Sequence, residues 1–311
     1  MSQRKPLYSY WTPRYWPTWF GLGVLRLLCM LPHPVRLAVG RSIGRVAHRF
    51  AGKRRAIVRR NIELCFPDLS VDERNDLAKR HFLALGMSLI EMGAARWSSD
   101  AALSKLCDIE GLEHVSDAQA QGQGIILLGA HFTTLEISGR AVRSTGVSFD
   151  AVFRRNRSEF ITEFLRSGRE RSVDNVIEKR DIKTMVRKLR DGHAIWYAPD
   201  QSFKRKGAVV VPFFGVPTMH ITATSTLARL GKAIVIPFFS ARTTDGRYLL
   251  KFFPKFESFP TDDLVADLGQ YMNVLEPFIR EYPEQYFWIH RKFKDLPEGY
   301  PDYYADLDAA K

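Results

Sequence analysis

The chain has 311 residues, with 46 lysines and arginines against 34 acids, a formal charge of +12. Its three cysteines, Cys29, Cys65 and Cys107, are odd in number and scattered, and its histidines are sparse, which argues against a disulfide framework or a metal centre and fits a reducing compartment. The charge is uneven: thirteen basic residues and no acid precede Glu63, leaving 33 against 34 in the remainder, so the positive character belongs to the N-terminal segment.

That segment contains Trp16 to Leu31, apolar apart from Arg26 and small breaks near its start. As a helix it spans about 24 Å, short of the roughly 30 Å hydrocarbon core, although Val35 to Val39 would extend it past Pro32. A signal anchor or a shallowly inserted helix is expected. With no Ala-x-Ala site and a basic cluster after the run, a cleaved secretory signal is not. Arg41, Arg45, Arg49 and Lys53 then recur every four residues with Ile43, Val46, Ala47 and Phe50 between them, the pattern of a basic amphipathic helix. On an anionic leaflet each such charge contributes about 1 kcal/mol, so an anionic membrane surface is the expected partner. A solvated helix face is the bland alternative. A nucleic-acid partner is not expected, because the charge adjoins an apolar, Trp-rich run instead of a reader motif. Positive-inside logic places the domain after residue 40 in the cytoplasm.

Residues 1–60 therefore read as a hydrophobic anchor with a basic amphipathic segment, 61–108 as a helical connection, and 109–311 as an α/β domain. Strands are expected at 125–129, 147–153, 193–198, 208–213, 233–240 and 247–253, and helices near 134–144, 158–170, 181–191, 220–230 and 262–281. Ile125 to Leu128 is an unbroken apolar run, as in a buried parallel strand, and it delivers His131 to the strand's carboxyl edge, where open α/β sheets bind ligands. Glu136 follows five residues later. An imidazole takes the proton of an attacking hydroxyl while a carboxylate holds its other nitrogen, and His131 and Glu136 supply those two groups. Five residues put side chains about 140° apart on a regular helix, so the pair meets only if His131 lies in the turn before the helix. Thr133-Thr-Leu-Glu136 is equally a capping box, in which Glu136 satisfies the Thr133 N–H. A second strand ends in Ala198-Pro-Asp200, on the same edge if the strands are parallel.

Six segments in order carry a resemblance: Thr12-Pro-Arg-Tyr-Trp-Pro17 and its continuation to Leu25, Arg60-Asn-Ile-Glu-Leu-Cys-Phe-Pro67, Gly129-Ala-His-Phe-Thr-Thr-Leu-Glu136, Trp196-Tyr-Ala-Pro-Asp-Gln201, Pro212-Phe-Phe-Gly215, and Pro283 through Lys294. With these the chain resembles, over nearly its whole length, the bacterial late acyltransferases of lipid A biosynthesis, whose superfamily includes the glycerol-3-phosphate acyltransferases. Its opening segment looks most like that of the lauroyl and palmitoleoyl transferases. The resemblance implies an αβα domain of the glycerol-3-phosphate acyltransferase kind behind a membrane-associated helical segment at the bacterial inner membrane, with the catalytic domain on the cytoplasmic side. It implies transfer of a fatty acyl group, lauroyl by default, from acyl-acyl carrier protein to a 3-hydroxyacyl chain of Kdo2-lipid IVA in lipopolysaccharide biosynthesis. The expected base is His131, oriented by Glu136 in the H-x4-E motif, with Arg169 and Asp200 matching functionally sensitive family positions. No cofactor is expected, since thioester cleavage supplies the driving force.

Around these, Arg154, Arg155, Arg157 and Lys204-Arg-Lys206 are candidate phosphate or carrier-protein contacts or plain solvated charge. Arg291 is a candidate phosphate contact, with Phe287 and Trp288 read as core and His290 as structural. The sequence departs from many relatives, which carry a proline after Arg154, and at Ala95-Arg-Trp-Ser-Ser99, where close relatives are more aromatic. Two alternatives stay open: a glycerophospholipid acyltransferase using the same dyad, and a non-enzymatic basic membrane-binding adaptor.

Overall fold

The computed structural model describes residues 5–203 and 207–309. Among the described residues, two short 3-10 helices, Leu7–Tyr10 and Pro13–Tyr15, lead into five α-helices: α1 (Trp16–Leu28), α2 (His33–Phe50), α3 (Gly52–Cys65), α4 (Val71–Trp97) and α5 (Asp100–Ser104). Strand β1 (Cys107–Glu110), α6 (Glu113–Ala120), β2 (Ile125–Leu128), α7 (Leu135–Ser144), β3 (Asp150–Phe153), α8 (Glu159–Arg169), β4 (Val176–Glu178), α9 (Ile182–Arg190) and β5 (Ala194–Tyr197) follow in alternation. The remainder is a hairpin of β6 (Ala208–Phe213) and β7 (Val216–Ile221), then α10 (Ala223–Gly231), β8 (Ile234–Arg242), β9 (Tyr248–Phe252), α11 (Leu264–Glu281) and α12 (Ala305–Ala309).

The expected apolar helix through Leu31 stops at Leu28, and α2 begins after Pro32 with Pro34 in its first turn, where a missing N–H costs nothing. The basic repeat is likewise divided. Ala51 (φ −87°, ψ 56°) ends α2, so Lys53 belongs to α3 and does not share a helix with Arg41, Arg45 and Arg49. No described helix is long and apolar enough to cross a membrane. Helix α2 instead buries Leu37, Gly40 and Gly44 against α4, while Val35, Val46 and Phe50 stay exposed. The crossing is glycine-dependent: a Cβ on Gly86 would lie 2.1 Å from the Gly40 carbonyl oxygen, and one on Gly44 would lie 2.3 Å from that of Phe82.

Among the described residues, seven strands form a mixed sheet in the order β1-β9-β8-β2-β5-β3-β4, with only the β8–β9 pair antiparallel. Strand β2 lies between β8 and β5 and is buried on both faces, which explains its unbroken apolar sequence. Ile126 and Leu128 join a core with α9, α10 and α11, whereas Ile125 and Leu127 join one with α6 and α7. The chain leaves β2 toward β3 and leaves β5 toward β8, on opposite sides of the pair. That reversal opens a crevice at their carboxyl ends.

Candidate active site

His131 and Asp200 occupy that crevice through sheet register. Leu128 pairs with Tyr197 across the parallel β2–β5 ladder, and both residues stand three positions further on. The ladder runs on through Gly129, whose N–H donates to the Tyr197 carbonyl at 2.9 Å. Gly129 has to be glycine, since a Cβ would sit 2.4 Å from Trp196 Nε1. Beyond it, Asp200 takes two bonds from the histidine, with His131 Nδ1 2.5 Å from Oδ1 and the His131 backbone N–H donating to Oδ2 at 3.1 Å. With the carboxylate accepting at Nδ1, the proton resides there and Nε2 presents its lone pair. Among the described residues no hydrogen bond reaches Nε2, and the His131 side chain keeps 28% of its surface exposed against 1% for Asp200.

Burial alone would raise the Asp200 carboxyl, but the His131 ring and the ammonium of Lys292 outweigh it and hold the group below the usual carboxylate range. Lys292 is itself buried behind the site, donating to the Asp200 carbonyl oxygen and lying 4.4 Å from the Phe213 ring centre. Burial pushes its ammonium down to about 8, against the pull of Asp200.

Glu136 is not the partner of His131. Its carboxylate turns to Arg169, whose Nε lies 3.1 Å from each oxygen and whose Nη2 bonds Oε1 as well. The capping box is not formed either, for Thr134 caps α7 without a side-chain bond and spends its hydroxyl on Ser240. Helix α7 starts only at Leu135, so Glu136 sits in its first turn facing α8. Arg169, in the last turn of α8, meets it there as a bidentate ion pair.

Two clefts converge on His131, sharing Arg154, Gln201, Phe203 and His290. One, of about 250 Å³, is ringed by Arg54, Arg154, Arg291 and Lys294. The other, of about 710 Å³, runs past Leu135, Val152, Phe153, Trp196 and Leu227, with Arg155 and Arg157 on its rim. His131 thus stands where two spaces meet, each lined by both cations and apolar side chains, the larger also carrying Arg154, Arg169 and Lys179.

The sequence matches the family model "Bacterial lipid A biosynthesis acyltransferase" over residues 3–295. The chain belongs to that family. It is 40% identical to the lipid A biosynthesis lauroyltransferase of Escherichia coli (strain K12), covering 94% of this chain and 96% of the relative. It is also 40% identical to the palmitoleoyltransferase of that organism (92% and 94%) and 26% identical to its myristoyltransferase (94% and 91%). A solved structure, the 1-acyl-sn-glycerophosphate acyltransferase PlsC from Thermotoga maritima, aligns over 80% of this chain and 96% of its own, at 14% identity and a TM-score of 0.37.

In this acyltransferase the C-terminal aromatic block braces the histidine. Phe132 and Tyr286 form an isolated antiparallel bridge, the Thr133 N–H donates to the Gln285 carbonyl at 2.8 Å, and the Phe287 N–H donates to that of His131 at 3.0 Å. Trp288 is buried, as expected, while Phe287 is half-buried on the cleft. Asn61, fully buried on α3, donates to the carbonyls of Trp288 and His290 at 2.6 and 2.7 Å and accepts from the Tyr304 hydroxyl. Sequence reasoning missed Asn61, Lys292 and Tyr304. An uncharged amide amid the apolar pattern of α3 was the available signal for Asn61. Arg291 is held by Asp308 through two 2.6 Å bonds. His290 lines both clefts, and burial together with the neighbouring His131 pushes its imidazole down to about 4. The Lys204-Arg-Lys206 run lies outside the described residues.

Proposed function

We propose that this enzyme transfers a fatty acyl group, lauroyl or palmitoleoyl, from acyl-acyl carrier protein to the free hydroxyl of a 3-hydroxyacyl chain on Kdo2-lipid IVA. The observation that carries the reading is His131 at the junction of the two clefts, with Nδ1 held by Asp200 and Nε2 left to accept a proton. Nε2 accepts the proton of the acceptor hydroxyl as its oxygen attacks the thioester carbonyl. The tetrahedral intermediate collapses, breaking the carbon–sulfur bond, and the imidazolium returns the proton to the leaving thiolate. Asp200 fixes the tautomer and stabilises the imidazolium. Arg54, Arg154 and Lys294 around the smaller cleft suit a phosphorylated sugar, since guanidinium groups bind phosphate bidentately, and the apolar stretch of the larger cleft past Leu135, Trp196 and Leu227 suits the hydrocarbon chain. The names of the lauroyltransferase and the palmitoleoyltransferase, each 40% identical, support the acceptor class and both acyl groups.

Exposed Trp16, Phe20, Val24 and Leu27 recur along one face of α1, with Arg45 and Arg49 exposed beside Val46 on α2. Such a face holds the enzyme at an anionic bilayer, where its acceptor resides. The test is mass spectrometry of Kdo2-lipid IVA incubated with detergent-solubilised protein and mixed acyl-acyl carrier proteins, beside His131→Ala. One added acyl group, absent with the variant, is expected; acylation of lysophosphatidic acid or glycerol phosphate in its place would overturn the acceptor, and equal product from folded His131→Ala would overturn the base.

A further inference from the structure

Beside the larger cleft lies a small recess of about 40 Å³ between α7, β3, β5 and β8, its apolar wall of Phe149, Ala151, Val173, Trp196 and Phe238 completed by the half-buried Gly139 and by the polar Ser138 and Ser172. Leu135, Arg169 and Trp196 line both spaces, so the recess continues the groove that starts at His131. The Glu136–Arg169 pair stands at the junction, and because each charge answers the other, an apolar group passes beside it without stranding either.

Packing alone does not account for this space. An unfilled volume walled by apolar side chains forfeits dispersion contacts, and stability favours filling it. Gly139 lies in the middle of α7, where glycine is a poor helix former, yet a Cβ built there meets only Ser172 Cβ at 4.0 Å. Alanine would fit without moving a neighbour. This differs from Gly40, Gly44 and Gly86, where backbone contact demands glycine. What the missing side chain of Gly139 provides is room.

We infer that the recess receives the terminal carbons of the donor's acyl chain, so that Gly139, Ala151 and Val173 set the chain length accepted, an inference that rests on the acyl-transfer reading above. The donor's chain is assigned here, and not a chain of the acceptor, because the smaller cleft, ringed by Arg54, Arg154 and Lys294, matches the phosphorylated sugar and leaves the apolar stretch of the larger one, past Leu135 and Trp196, to the thioester's hydrocarbon. A chain with its carbonyl at Nε2 runs past Leu135 and Trp196 and ends against Phe149 and Phe238.

The experiment gives the full-length enzyme Kdo2-lipid IVA and an equimolar mixture of acyl-acyl carrier proteins of graded chain length, and reads product ratios by mass. Ratios cancel differences in the amount of folded enzyme. Gly139→Leu should lower the long-to-short ratio by about fourfold per methylene displaced, Gly139→Ala should shift it less in the same direction, and Val173→Ala should raise it. Unchanged ratios in Gly139→Leu and Val173→Ala, with wild-type transfer intact, would overturn the inference and leave the proposed function standing. A raised KM for the acceptor at unchanged donor ratios would also overturn it, by giving the recess to an acceptor chain. No transfer by the wild type would defeat the underlying reading itself, and the inference with it.

Discussion

His131 owes its orientation to a carboxylate 69 residues away in sequence and one strand away in space. Asp200→Asn should therefore lower kcat by about 10²-fold to 10⁴-fold with folding retained, since an amide no longer fixes the tautomer or stabilises the imidazolium. Glu136→Gln should leave the ring's geometry in place and act through Arg169, raising KM for the donor more than it lowers kcat; steady-state kinetics on both variants tests this, and an equal fall in kcat alone for Glu136→Gln would contradict it. Both strand ends and both carboxylates were legible in the sequence. Their pairing was not, because H-x4-E spacing measures distance along the chain, whereas register across a parallel ladder decides which side chains meet. A pH dependence of stability belongs to His81, fully buried on α4 with Nδ1 2.9 Å from the Glu284 carbonyl oxygen. Burial pushes this imidazole down to about 4. Between pH 6.5 and 4 the unfolded chain takes up a proton that the folded one refuses, so stability falls as pH falls, by up to about 1.4 kcal/mol per unit from this one site. Urea midpoints across that range should fall less steeply for His81→Gln.

At the scale of elements, apolar periodicity located six strands, β2, β3, β5, β6, β8 and β9, and five helices to within a few residues, since their sequence patterns and their burial agree. Three strands escaped it for physical reasons. Strands β1 and β4 are short edges, alternating or largely uncovered, and β7 contains Pro217 and pairs only with β6. The α2–α4 crossing was hidden as well, because Gly40, Gly44 and Gly86 look like weak helix formers until two backbones are seen in contact. Gly86→Val should cost about 3 kcal/mol or more by overpacking and lower the Tm in a detergent thermal-shift assay. Gly21→Val, at a position with nothing within 4 Å, should leave the Tm nearly unchanged.

Across the whole molecule, the basic and apolar N-terminal helices and the α/β sheet are joined by a buried ion pair, Arg242 on β8 with Glu91 on α4, two bonds of 2.7 Å, reinforced by the Tyr248 hydroxyl at 2.8 Å. The helices with the exposed apolar and basic residues are thus tied to the sheet that carries His131. Replacing Phe20 and Leu27 by serine should release the enzyme from vesicles containing phosphatidylglycerol in a flotation assay, because each side chain forfeits about 1.5–3 kcal/mol of burial; undiminished flotation would show that another surface binds. Added salt should weaken binding of the wild type through its basic residues. The tie from Tyr304 to Asn61, 243 residues apart, bears on the enzyme's biogenesis. During synthesis, α3 and β2 emerge long before the segment that locks the His131 turn, so the nascent chain carries His131 with its turn still unbraced. The brace is complete only once Tyr304 has been made and folded back onto Asn61, so the candidate site is among the last parts of the molecule to be assembled.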